Sequence, residues 1–101
     1  MNKEYSSFDA FYPFYLSQHQ HKTCRRLHFL GSLFILLLTL YSASTAQFML
    51  LFFIPLIGYG FAWVGHFIFE RNRPATFTYP LYSLIGDWVM FKDILIGKIK
   101  F

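Results

Sequence analysis

Two long runs without an acidic or basic side chain constrain this chain more than any other feature. Phe29 to Ala46 is free of Asp, Glu, Lys and Arg over 18 residues, and Phe48 to Phe69 over 22. Crossing the hydrocarbon core of a bilayer takes roughly 20 apolar residues of helix, so both runs suit membrane-spanning helices, the second with more margin. Between them, Ser42 to Gln47 is small and polar enough to turn the chain. A helical hairpin is the simplest fold. Composition excludes the alternatives. Of 101 residues, 55% are hydrophobic and 23% aromatic, while 14% are charged; soluble domains carry roughly 25% charged residues. A chain this short has too little interior to hide such a surface from water, and disordered chains are poor in aromatics. The expectation is an all-α, small helical membrane protein forming one membrane-embedded domain over residues 1–101.

Charge orients the hairpin. The formal net charge is +4. Lys22, Arg25 and Arg26 precede the first run, Arg71 and Arg73 follow the second, and the turn carries no cation. The positive-inside bias then puts both open ends on the cytoplasmic side, in a bacterial inner membrane or, in a eukaryotic cell, the endoplasmic reticulum. Cations that flank apolar runs meet lipid headgroups; they form no continuous patch for nucleic acid. Met1 to Leu16 shows no basic start followed by an apolar run, so no cleavable signal peptide is read there. Cys24 is the single cysteine. It has no disulfide partner in the chain and reads as a buried or interfacial thiol without chemistry.

Two flanking segments complete the fold. Phe8, Phe11, Tyr12 and Tyr15 share one helical face, interrupted by Pro13, as in a helix lying in the membrane interface. After the helix-stopping Asn72-Arg73-Pro74-Ala75, a second face runs through Leu81, Leu84, Ile85, Trp88 and Val89. Asp87, Lys92 and Asp93 break that run, so Tyr79 to Gly97 reads as an interfacial or re-entrant helix, with Lys98 and Lys100 at the headgroups.

The histidines carry the chemistry. From His28 to Ser44 is 16 residues, about 24 Å of helix, and from Gln47 to His66 is 19, about 28 Å. A hairpin therefore returns the two imidazoles to nearly the same depth, close to the cytoplasmic face. Glu70 lies one helical turn beyond His66, and His19 precedes His28 by nine residues in a polar stretch able to fold back. Ionisable groups at the end of a membrane helix point to function. Three imidazoles and a carboxylate suit iron, zinc or manganese, and a facial site with open positions suits ferrous iron and dioxygen. Plainer roles stand beside these: His28 capping the interface, His66 and Glu70 as a structural pair, His19 solvated, Arg71 and Arg73 as topology anchors. The arginines could equally hold a substrate carboxylate. A bis-histidine haem electron carrier and a non-catalytic membrane hairpin, or scaffold, also remain open.

Two blocks of sequence add to this reading. One is Phe14-Tyr15-Leu16-x-x-His19, continuing through Arg25-Arg26-Leu27-His28-Phe29-x-Gly31. The other is Gly58-Tyr59-x-x-x-Trp63-x-Gly65-His66-Phe67-x-Phe69-Glu70, then Asn72-x-Pro74-Ala75-Thr76-Phe77 and Pro80-x-x-Ser83-x-x-x-Asp87. The chain resembles, from Phe11 to Met90, the small membrane family of fungal 2-hydroxy fatty acid dioxygenases and their bacterial relatives. The resemblance implies an iron(II)-dependent enzyme that shortens a 2-hydroxy fatty acid by one carbon with dioxygen. It implies His19, His28 and His66 as the metal ligands and, with Glu70, as the catalytic residues, and it leaves Glu70 and Asp87 as a further ligand or as support behind the ligands. The partners it implies are a fatty acid and dioxygen within the membrane; oligomeric state is left open. Family members often carry Pro-Thr-Asn where this chain has Lys22-Thr23-Cys24, which removes a good helix cap at position 24.

Overall fold

A computed structural model describes residues 5–101; the first four residues, part of the stretch read as lacking a signal peptide and of the single domain, lie outside the described residues. Four α-helices follow one another: α1 (Phe8–Ser17), α2 (Lys22–Thr45), α3 (Ile54–Val64) and α4 (Pro80–Leu95). A 3-10 segment, Phe48–Phe53, leads into α3, and a π-helical segment, Gly65–Glu70, continues it. The described residues contain no strand. The all-α expectation holds.

The hairpin is α2 against the continuous helical stretch Phe48–Glu70. Both are long and apolar enough to cross a membrane, and within the most apolar stretch of each only 22% and 6% of residues are buried by the protein itself. A core helix of a soluble protein would be mostly covered. Leu37, Leu40, Phe52, Leu56 and Ile68 instead stand out from the fold more than half exposed, a surface suited to lipid.

α2 starts earlier than the apolar run suggests, because the cationic Lys22 to Arg26 segment is helical. The missing cap at position 24 is not needed. His21 ends the extended segment, and its Nδ1 accepts the Thr23 N–H at 3.1 Å, a cap made by imidazole in place of Ser or Asn. At the other end the turn is shorter than Ser42 to Gln47. The helix persists to Thr45 and reverses at Ala46, whose φ of 55° is left-handed. Ser42 Oγ donates to the Gln47 carbonyl at 2.7 Å, and the Gln47 N–H returns a bond to Ser42 O at 2.9 Å. Those bonds satisfy backbone groups that hydrocarbon could not.

The core sits at the open end of the hairpin. Phe11 and Tyr15 of α1, at 0% and 1% exposure, pack with Ala75, Tyr79, Met90 and Ile94. The helix runs through Pro13 unbroken: in so short a helix proline deletes one hydrogen bond, and its ring faces outward. α1 is therefore held by protein as well as by any interface. Its aromatic face is a packing surface against α4.

Candidate metal centre

The loop between α1 and α2 folds back over the open end of the hairpin and carries His19 inward. Ring centroids of His19 and His28 are 4.4 Å apart, those of His19 and His66 4.5 Å, and those of His28 and His66 4.9 Å. All three are buried, at 1%, 6% and 2% exposure. The depth arithmetic is realised, and the third ring joins the pair.

Each ring has its Nδ1 occupied. His19 Nδ1 lies 2.6 Å from the Tyr15 carbonyl and His28 Nδ1 lies 3.0 Å from the Cys24 carbonyl. A carbonyl only accepts, so both Nδ1 atoms carry the proton. His66 Nδ1 lies 2.8 Å from Asn72 Oδ1. Asn72 is oriented by its own amide hydrogens, which donate to Gln18 O at 3.1 Å and to Gln18 Oε1 at 3.2 Å; its oxygen must then face His66. All three imidazoles are thereby fixed as the tautomer whose lone pair is on Nε2. His19 Nε2 and His28 Nε2 are 3.2 Å apart. Two lone pairs so close repel unless a proton or a cation lies between them. Burial, with His28 and His66 adding to it and the Tyr15 carbonyl opposing, holds His19 well below the usual imidazole range. It stays neutral, the form that binds metal.

Cys24 belongs to this group. One ligand atom from each of His19, Cys24, His28 and His66 can be chosen so that all lie within 4.8 Å of one another. First-row metals bond nitrogen at about 2.1 Å, which sets ligand nitrogens about 3 to 4 Å apart, so the set has to draw inward to close on one ion. The thiol is the outlier, with its Sγ 3.7 Å from His28 Nδ1, the nitrogen that faces away from His19. It backs the ring and packs against Gly65, where a Cβ would lie 2.9 Å from Sγ. The burial expected of Cys24 holds, and its place four residues before His28 sets both on one helical face.

The remaining candidates fall at different distances from the imidazoles. The Glu70 carboxylate accepts the backbone N–H of His21, and so ties the α1–α2 loop to the end of the hairpin. The π-helical turn and a left-handed Arg71 bring Asn72 to His66. Arg71 and Arg73 are exposed, and neither lines the cavity described below; the Arg73 guanidinium lies over the Phe77 ring at 5.0 Å. Asp87 does line it, with Oδ1 accepting the Tyr15 hydroxyl. Burial raises the Asp87 carboxyl to about 6 despite that bond, while burial and the Asp87 charge push Tyr15 far up, so that Tyr15 remains a donor. The Tyr15 ring stacks on His19 at 4.1 Å. A Cβ on Gly86 would meet that ring at 2.9 Å, which is why α4 can approach so closely.

A cavity of about 550 Å³ opens from the three histidines. Its polar end holds Tyr15, Ser32, Ser83 and Asp87, and its walls are Ile35, Ile54, Pro55, Tyr59, Trp63, Leu84 and Trp88 among others. Ile54 lies 12 residues before His66, about 18 Å of helix, so the apolar part reaches far along the hairpin. A buried nitrogen cluster heading a long apolar trough can take a polar head and a hydrocarbon tail. It does not suit a haem held by His28 and His66: His19, within 4.5 Å of both rings, stands where the porphyrin plane would pass.

No curated protein and no solved structure matches the chain. The model of one protein family does, over residues 5–99, and its description is 2-hydroxy-palmitic acid dioxygenase Mpo1-like. That span takes in all three histidines, Asn72 and the whole of the cavity lining, and the chain belongs to the Mpo1-like family.

Proposed function

We propose that this protein is an iron(II)-dependent dioxygenase of the membrane that shortens a 2-hydroxy fatty acid by one carbon. The observation that carries the reading is the set of three clustered imidazoles, each with Nδ1 donating to an oxygen and so with its lone pair on Nε2, at the head of an apolar cavity. His19, His28 and His66 would hold the metal, leaving its other positions to oxygen ligands and dioxygen. Ferrous iron, when bound, supplies the redox chemistry with dioxygen that these side chains lack.

The chain's own residues prepare the substrate. The apolar walls take the acyl tail from the bilayer, so its polar head comes to rest among Tyr15, Ser32, Ser83 and Asp87 beside the imidazoles. Burial excludes bulk water from the head. Asn72, itself held by Gln18, keeps the His66 lone pair on Nε2. Glu70 acts on the site indirectly, as the tie between loop and hairpin. Both open ends and the site face the cytoplasm in this reading, the substrate is a lipid, and no nucleic acid takes part.

The test is turnover. Purified protein reconstituted with ferrous iron should consume dioxygen and convert 2-hydroxypalmitate to pentadecanoate, and His28→Ala should lose that activity. Absence of pentadecanoate from the iron-loaded protein would contradict the proposal.

A further inference from the structure

One buried polar atom beside the histidines has no role so far. Ser83 is 4% exposed, and its Oγ has no hydrogen-bond partner among the described residues. Its backbone N–H makes the ordinary helical bond to Tyr79 O at 2.9 Å, so helix geometry is not what withholds a partner. Buried hydroxyls are nearly always bonded. Ser83 lines the cavity, as does Asp87 one turn later, and the two stand about 6 Å apart along α4. Asp87 Oδ1 accepts the Tyr15 hydroxyl, and a carboxylate has a second oxygen able to accept.

We infer that Ser83 and Asp87 together read the head of the substrate: the Ser83 hydroxyl donates to its carboxylate, and the Asp87 carboxylate accepts from its 2-hydroxyl. This rests on the reading of the substrate as a 2-hydroxy acid. One donor and one acceptor a turn apart match an acid that carries an acceptor and a donor on adjacent carbons. The arrangement also assigns the carboxylate a partner inside the cavity, where Arg71 and Arg73 do not reach. An acid lacking the hydroxyl would leave Asp87 facing a second carboxylate with no proton between them, and sites built to bond a hydroxyl reject analogues without it.

Affinities of the metal-loaded protein for three probes test this: 2-hydroxypalmitate, palmitate and hexadecane-1,2-diol, with metal content measured alongside. Ser83→Ala should weaken both acids by about 10-fold, the scale of one hydrogen bond to a charged group, and leave the diol within about twofold. Asp87→Asn should weaken 2-hydroxypalmitate and the diol and leave palmitate unchanged or tighter. If Ser83→Ala changes no affinity, the hydroxyl meets only water and the inference fails. If it weakens all three probes alike, the role is structural and the inference fails as well. Should Ser83→Ala not assemble, Ser83→Cys, similar in shape but a weak donor, must give the same pattern. A wild-type protein that binds 2-hydroxypalmitate no better than palmitate overturns the substrate reading itself, an outcome distinct from selective binding that ignores Ser83.

Discussion

Asn72 shows how one residue can set the chemistry of another. Its amide hydrogens go to Gln18, its oxygen accepts from His66 Nδ1, and the lone pair of His66 is thereby kept on Nε2. Residues that hold a ligand's second nitrogen are worth 10–100-fold in metal affinity. Asn72→Ala should therefore bind ferrous iron about 10- to 100-fold more weakly by competition with a chelator, while the helix content measured by circular dichroism is kept. Asp87 gives a prediction of opposite character, in pH. Its carboxyl is raised by burial from 3.8 to about 6 in the fold. Between about pH 4 and 6 the folded state thus holds more protons than the unfolded one, and stability falls as pH rises. Asp87→Asn lacks that fall. Its unfolding midpoint in detergent should gain on the wild type as pH climbs from 4 to 6 and then level, the whole gain being at most about 3 kcal/mol. A difference that stays flat with pH would refute the burial of this carboxylate. His28 and His66 are legible in the sequence, because hairpin arithmetic needs only residue counts; His19 rests there on a polar stretch able to fold back and on the family resemblance. Asn72, Cys24 and Ser83 were not assigned such roles: their parts depend on the direction of an amide, the back of a ring and the lining of a cavity, which spacing does not record.

At the level of elements, Gly65 decides how near the two long apolar helices come. It begins the π-helical turn that carries His66, and a Cβ there would lie 2.9 Å from Cys24 Sγ and 3.2 Å from Cys24 Cα. A contact with backbone cannot be relieved by rotating a side chain, so the helices must part. Small residues permit such approach in membranes. Gly65→Ala should lower iron content severalfold by separating His28 from His66, and elemental analysis of the purified variant checks it; full iron content would show that the helices tolerate the methyl. The helices themselves followed from the charge-free runs and from the faces of α1 and α4. The 3-10 entry to α3 and the π-helical exit did not, since the same apolar letters serve either winding. At that exit Glu70 bonds the His21 N–H, and Asn72 bonds His66.

For the whole molecule, the division of labour runs along the hairpin. One end is an aromatic core in which α1 and α4 close over the imidazoles; the rest is apolar surface, exposed in the fold and suited to lipid. The cavity joins the two, from a buried nitrogen cluster to a trough beside α3. Composition and the charge-free runs announced two helices long and apolar enough to cross a membrane, and the returning hairpin announced the shared depth of His28 and His66. The closing of α4 over the site was not legible, because Gly86 against Tyr15 is a contact between residues 71 positions apart. The proposed chemistry requires three imidazoles gripping one cation. Elemental analysis of protein purified anaerobically, with any purification tag removed, tests that most directly. Close to one iron per chain in the wild type, and its loss in each of His19→Ala, His28→Ala and His66→Ala, is the predicted result. A wild type free of stoichiometric metal, or three variants that all keep their iron, would contradict it.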